Sequence, residues 1–309
     1  MKPGKDDRLV IDPSFRVGPD STPINSLTHI GNEPPICFAS ALTRHLSRIY
    51  NLRITYPDED ILTFSDDASG AFKTTKLHPD VATAFAYAYR AHLCVPTAAI
   101  FGSNTSPPNF EPIAGARTRL ATALFADPRF TAAPSQWVSM VAFSAPPDAD
   151  VEYVGAAPDS INTGVLDDDG APHPTPYNMY VDDNLYADIP SRMPRAIAAS
   201  IRSLFDIQGH PHPDRRIALS TKKLTAAPAS YARVDLGFLI NTRTMMVSLP
   251  PAKLADAVTL LTSFTLPRRS VSLREVARLV GTLTHMCTIC HWGRYHFNAL
   301  THSIKVALC

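Results

Sequence analysis

Two acidic clusters, each at the end of an apolar run, hold the residues best suited to chemistry in this chain. The stretch Tyr177 to Ile189 sets an adjacent acid pair, Asp182 and Asp183, between apolar and aromatic flanks. Strands on both sides would place the pair at the tip of a hairpin, with the Asp183-Asn184 step aiding the turn. Neighbouring carboxylates repel unless a cation lies between them, and hard oxygen donors suit magnesium. An Asp-Asp pair is also common in ordinary turns, so the second cluster gives the first its weight. Leu62 to Phe72 carries Asp66 and Asp67 at the end of a strand-like run, followed by Ala68-Ser69-Gly70-Ala71 and an aromatic ring. Either acid could be the reactive one, and an aromatic ring, Phe72, lies five positions after Asp67. Brought onto one sheet, three such carboxylates suit two metal ions about 3.5–4 Å apart, the arrangement of nucleotidyl transfer.

The elements that must position these acids read as a mixture. Arg8–Asp12 looks like a short strand, residues 37–51 carry Leu42, Leu46 and Ile49 at helical spacing, and 61–65 form a buried-strand candidate. Asp80 to His92 reads as a helix opened by Pro79, Val95 to Phe101 as extended, and Pro108 to Phe125 as a helix. A hairpin over 177–189, a helix over 191–206 and a second hairpin from Val234–Ile240 and Met245–Leu249 follow. Three amphipathic helices, over 251–264, 271–287 and 293–308, close the chain. Strands interspersed with helices and then a helical tail imply an α+β fold with an α-helical lobe. The 125–176 segment is Pro-rich and acidic, and its Asp167-Asp168-Asp169-Gly170 run reads as a solvated turn, since the other ligands of a calcium loop are missing.

The charge distribution adds a partner. The formal net charge of +1 conceals balances of −2 over residues 1–80, −8 over 81–190 and +11 over 191–309. A basic final third points to a polyanion, and an acidic middle tolerates one only with metal ions between. With 45% hydrophobic residues and 309 positions the chain can bury a sizeable core. No apolar run approaches the roughly 20 residues needed to span a bilayer, and the N-terminus lacks the apolar core of a signal peptide. Five cysteines fit a reducing compartment, so an intracellular location, cytoplasmic or nuclear, is expected without membrane contact. Cys287-x-x-Cys290-His291 has no second Cys pair to complete a zinc site, and reads as small buried residues of a helix.

Taken in order, these motifs resemble the reverse transcriptases of retroelements, over nearly the whole chain. Asp67-Ala68-Ser69-Gly70-Ala71-Phe72 resembles the first catalytic-aspartate motif of the polymerase palm. Phe101-Gly102 through Pro107-Pro108-Asn109-Phe110 resembles the next, and Tyr180-Val181-Asp182-Asp183 is similar to the Tyr-x-Asp-Asp box. Leu236-Gly237-Phe238-Leu239-Ile240 resembles the primer-grip hairpin, and Arg8–Asp12 a fingers segment. Leu273 to Leu300 is similar to the thumb and connection, with the tyrosine-recombinase retrotransposons as the nearest type.

The resemblance implies a right-hand fold: partial fingers over 1–60, an antiparallel-sheet palm over 61–235 with a loop inserted at about 125–176, and a primer-grip hairpin with helical thumb over 236–309. It implies RNA-directed DNA synthesis on an RNA or DNA template with primer, from dNTPs, using two Mg2+ ions, with Mn2+ as a substitute. Asp67, Asp182 and Asp183 would be the catalytic metal ligands. Arg8, Phe72, Phe101 and Gly102 would meet the dNTP, Phe72 by excluding a ribose 2′-hydroxyl; its alternative role is ordinary core packing. Tyr180, Pro107, Leu236, Gly237, Arg268, Arg269 and Arg294 would hold primer and template, and Lys222 or Lys223 would protonate departing pyrophosphate. The chain opens close to Arg8 and carries no ribonuclease H, integrase or protease segment, so the rival is a remnant that binds nucleic acid without polymerising. An RNA-dependent RNA polymerase is disfavoured by Phe72 and by Tyr180-Val181 before the acids, and a phosphohydrolase leaves the ordered motifs unexplained. Oligomeric state is not encoded in these motifs.

Overall fold

The computed structural model describes residues 13–14, 21–28, 31, 33, 36, 38–89, 91–131, 135–144, 176–214, 216–265 and 271–308. Arg8, Arg268, Arg269, the strand expected at Arg8–Asp12 and most of the 125–176 segment lie outside the described residues. The chain divides into two compact units, Met1–Ser230 and Tyr231–Cys309, each mixing helices with a small antiparallel sheet.

In the first unit the elements run α1 (Ala41–Thr55), β1 (Leu62–Asp67), α2 (Pro79–Ala84), β2 (Tyr87–Tyr89), β3 (His92–Cys94), α3 (Ser106–Ala126), α4 (Gln136–Ser139), β4 (Tyr177–Tyr180), β5 (Asp183–Asp188), α5 (Met193–Gln208) and α6 (Thr221–Leu224). The main sheet has the order β1-β5-β4, antiparallel throughout, with β5 central. Helix α5 shows why the sequence folds this way: Ile197, Ile201, Leu204 and Phe205 recur at i, i+4, i+7 and i+8, and all are buried. The small residues Ala196 and Ala199 of α5 and Ala114 and Ala121 of α3 are also buried in this core, where the two helices pack together. Phe64, Tyr186 and Tyr177 meet edge to face beneath them, with centroids 5.7 and 5.4 Å apart in succession.

The helix expected from Asp80 to His92 is corrected. It stops at Ala84, and Tyr87–Tyr89 pairs with His92–Cys94 as a hairpin, with Ala91 at φ 63° in the connection. Alanine favours a helix here, but Phe85, Tyr87 and Tyr89 recur at period two, and cross-strand pairing overrides the propensity.

The second unit comprises β6 (Ala232–Asp235), β7 (Phe238–Asn241), β8 (Met246–Ser248), α7 (Pro251–Thr265), α8 (Leu273–Met286) and α9 (Asn298–Leu308). Its sheet is a three-stranded meander, β6-β7-β8, where one hairpin was expected. Ser272 and Glu275 form a reciprocal capping box at the start of α8. A 3-10 helix, His291–Phe297, fills the gap between α8 and α9. Among the described residues no helix is long and apolar enough to cross a membrane.

Candidate active site

The strand register settles which acids meet. Asp67, the last residue of β1, lies directly opposite Asp183, the first residue of β5, and Asp183 also pairs with Tyr180 of β4. The β4–β5 connection is therefore the two residues Val181 and Asp182, not the Asp183-Asn184 step expected from the sequence; Asn184 is buried inside β5. Val181 sits at φ 55°, a left-handed conformation that costs a β-branched residue strain and that is stored where the surroundings over-determine it. Ala68 N–H donates to the Asp182 carbonyl at 3.0 Å, tying the turn to the end of β1.

Adjacent residues of a strand face opposite ways, and this separates Asp66 from Asp67. Asp66 points inward, accepting from Arg117 of α3 and from the Ser200 hydroxyl of α5, with both ionic side chains fully buried. Ser200 Oγ also accepts from Arg117 at 3.1 Å and from Asn184 Nδ2 at 2.8 Å, so its single donor and two lone pairs are all used. Asp66 is a structural charge. Asp67 points to the other side, where Lys223 Nζ donates to it at 2.8 Å and to Asp183 at 3.0 Å. That lysine arrives because Ser220 N–H donates to the Asp67 carbonyl and Ser69 N–H to Ala218, laying the start of α6 along the end of β1.

Burial pushes the Asp67 carboxyl above the ordinary carboxylate range; Lys223 pulls it back, and the carboxyl of Asp182, close enough to share a hydrogen bond, pushes it up further. Burial acts to lower the Lys223 ammonium, but bonds to Asp67 and Asp183 outweigh it and carry its pKa up to about 12. A folded pKa raised from 10.5 means this contribution to stability is complete below that value and is lost only as pH climbs through about 12. Lys223 is charged throughout the physiological range. Lys222, the other candidate, is exposed and makes no contact with the acids.

Among the described residues no group of three or more His, Cys, Asp or Glu side chains is arranged to hold a metal ion. Three carboxylates nevertheless converge here, and a lysine ammonium bridges two of them. Oxygen donors of this kind suit magnesium. Replacing Lys223 by Met is expected to lower the melting temperature without divalent cations by about 2–4 °C, for a half-exposed pair contributing about 1 kcal/mol. Added Mg2+ is expected to restore the variant more than it stabilises the parent, as differential scanning fluorimetry would read.

The remaining candidates scatter. Phe72 is buried among core rings, tilted on Phe101 at 5.1 Å and edge-on to Phe110 at 5.9 Å, while Phe101 is half-exposed. Gly102 takes φ 98°, and its carbonyl accepts from Asn25. Pro107 lies in the first turn of α3, and Tyr180 is partly exposed beside Phe38. In the second unit, Leu236 and Gly237 form the β6–β7 turn, both at positive φ, 47° and 84°. A Cβ on Gly237 would run into Lys253 Nζ and meet His285 Nε2 at 3.2 Å. Arg294 is exposed. Cys287 is buried as expected, with burial raising its thiol pKa, but Cys290 is exposed. The sequence reading singles out neither Arg117 nor Ser200 and assigns Asn184 to the turn; a lone Arg in the middle of an otherwise apolar helix face was the available signal for the buried pair.

No protein-family model matches the chain, and no curated protein matches it. Among solved structures it is similar to a foamy viral protease-reverse transcriptase in complex with RNA/DNA hybrid, at 13% identity and a TM-score of 0.44, covering 84% of this chain and 25% of that one. It is also similar to the foamy viral protease-reverse transcriptase dRH in complex with ds DNA, at 14% identity and a TM-score of 0.42, covering 78% and 29%. The chain thus spans less than a third of the length of either.

Proposed function

We propose that this chain is a template-directed DNA polymerase of the reverse-transcriptase type, with the acidic end of the β1-β5-β4 sheet as its catalytic centre and a right-hand arrangement of partial fingers, palm and helical thumb. The observation that carries the reading is the in-register pairing of Asp67 with Asp183, with Asp182 in the adjoining turn and one cation bridging two of the acids.

In this reading Asp67 and Asp182 hold the metal ions and Asp183 completes the set. Bound magnesium, or manganese in its place, supplies Lewis-acid stabilisation of the reacting phosphate and a more acidic primer hydroxyl. The chain's own groups do the rest. Lys223, already at the acids, is the proton donor to departing pyrophosphate in preference to Lys222. Gly102 lets the backbone approach the nucleotide, and the half-exposed Phe101 ring meets it with Phe72 packed behind from the core. Arg8 pairs with the triphosphate through its planar fork. Tyr180 and Pro107, with Leu236, Gly237, Arg268, Arg269 and Arg294, hold primer and template, the arginines through phosphates without reading sequence.

The test is Mg2+-dependent extension of oligo(dT) on poly(rA), present in the parent chain and absent in Asp182→Asn. A second reading, a remnant that binds nucleic acid without synthesis, is favoured by the Lys223 bridge, which already sets a cation against two of the acids. Salt-sensitive binding of primer–template with no extension in Mg2+ or Mn2+ would decide for the remnant.

A further inference from the structure

The chain after Glu275 is both acid-free and basic, whereas the other acid-free stretch of comparable length, residues 81–110, carries a single Arg and no Lys. Residues 276–309 contain no Asp or Glu, but hold Arg278, Arg294, Lys305 and four histidines. Within this stretch the 3-10 helix His291–Phe297 carries Trp292 and Tyr295, each 78% exposed, more than any other large hydrophobic residue described. Three residues per turn place positions i and i+3 on the same side, about 6 Å apart along the axis. Arg294 is exposed between them, with His291 and His296 exposed on either side. Among the described residues neither ring stacks on another ring or on a guanidinium.

The rings are nevertheless mounted on a fixed base. Phe297 of the same helix is buried, and Gly293 lies so near Cys287 that a Cβ would come within 2.6 Å of its Sγ. Gly293 N–H donates to the Cys290 carbonyl at 3.0 Å, closing the turn that leads from α8 into this helix. Two unpartnered rings on one side of an anchored turn, with a cation a third of a turn away and no carboxylate nearby in the chain, are complementary to a partner that presents flat π faces joined by anions.

We propose that Trp292 and Tyr295 form a base-stacking platform for single-stranded nucleic acid, with Arg294 drawing in the phosphate backbone. Every base offers a π face, so the platform tolerates any sequence, and a paired duplex, whose bases are already stacked, engages it little. The proposal shares with the polymerase reading a nucleic-acid partner and Arg294, whereas Trp292 and Tyr295 belong to this proposal alone.

The test measures binding of fluorescein-labelled oligo(dT) and oligo(U) to the full chain by anisotropy, without divalent cations or dNTPs. Trp292→Ala and Tyr295→Ala are each expected to weaken single-strand binding about tenfold, while Trp292→Phe stays within about threefold of the parent. Tryptophan emission should be quenched by oligo(dT) in the parent and not in Trp292→Phe, in which Trp137 is the one tryptophan remaining. Alanine variants that bind single strands as the parent does would overturn the proposal, as would an equal loss on a duplex. So would sedimentation showing that the variants dissolve a dimer while oligonucleotide affinity is unchanged. A failure of primer extension would count against the polymerase reading and leave this outcome untouched.

Discussion

Replacing Arg117 by Ala is expected to destabilise the first unit by about 3–5 kcal/mol, which for a unit of this size lowers the melting temperature by about 6–20 °C. The reason lies in what is left behind. Asp66 would remain fully buried with its charge, and the Ser200 hydroxyl would lose one of its three partners. Asp66→Ala is expected to cost a similar amount by stranding the guanidinium. A paired replacement, Asp66→Leu with Arg117→Met, removes both charges at once and should recover most of the loss, because the desolvation cost of a buried pair matches or exceeds its Coulomb gain. Thermal melts of the three variants check this. If each single variant melts within a degree or two of the parent, the buried pair is not what holds α3 and α5 to the sheet.

The neighbouring residue carries the second large effect, of the opposite kind. Asp67→Asn is expected to leave the fold intact and to lower the rate of primer extension by more than about 100-fold, beyond the 10–100-fold typical of losing a group that merely supports a metal ligand. Asparagine keeps the shape of Asp67 and can still accept from Lys223, but it removes the charge that a divalent cation needs. The contrast between the two adjacent aspartates is the informative readout: Asp66 variants melt early, whereas Asp67→Asn melts normally and does not extend primer. Equal extension by Asp67→Asn and the parent would remove Asp67 from the catalytic set.

Much of the site was legible because it rests on local patterns. The apolar runs around Asp182-Asp183 and before Asp67 predict strands that end in acids, and the stripe Ile197, Ile201, Leu204 and Phe205 predicts the helix that supports them. The hairpin over 177–189 appears as β4 and β5, and the helix expected near Pro108–Phe125 appears as Ser106–Ala126. The errors fall where competing local signals are close in strength. The Ala-rich stretch ending at His92 satisfies both helical propensity and aromatic alternation, and pairing with a neighbouring strand decided between them.

By itself, then, the sequence determined which residue types lie at the strand ends and how the basic and acidic charges are divided along the chain, because both follow from composition and period. Tertiary structure alone decided which aspartate of 66 and 67 faces Arg117 and which faces Lys223. Alternation puts the two on opposite sides of the sheet, but cannot say which side is covered by helices. It also decided that Lys223 and not Lys222 reaches the acids, across 156 positions of sequence, through backbone bonds from Ser220 and Ser69 that no local motif announces. Contacts of that range are formed by the folded chain as a whole, and their partners share no periodicity from which they could be read.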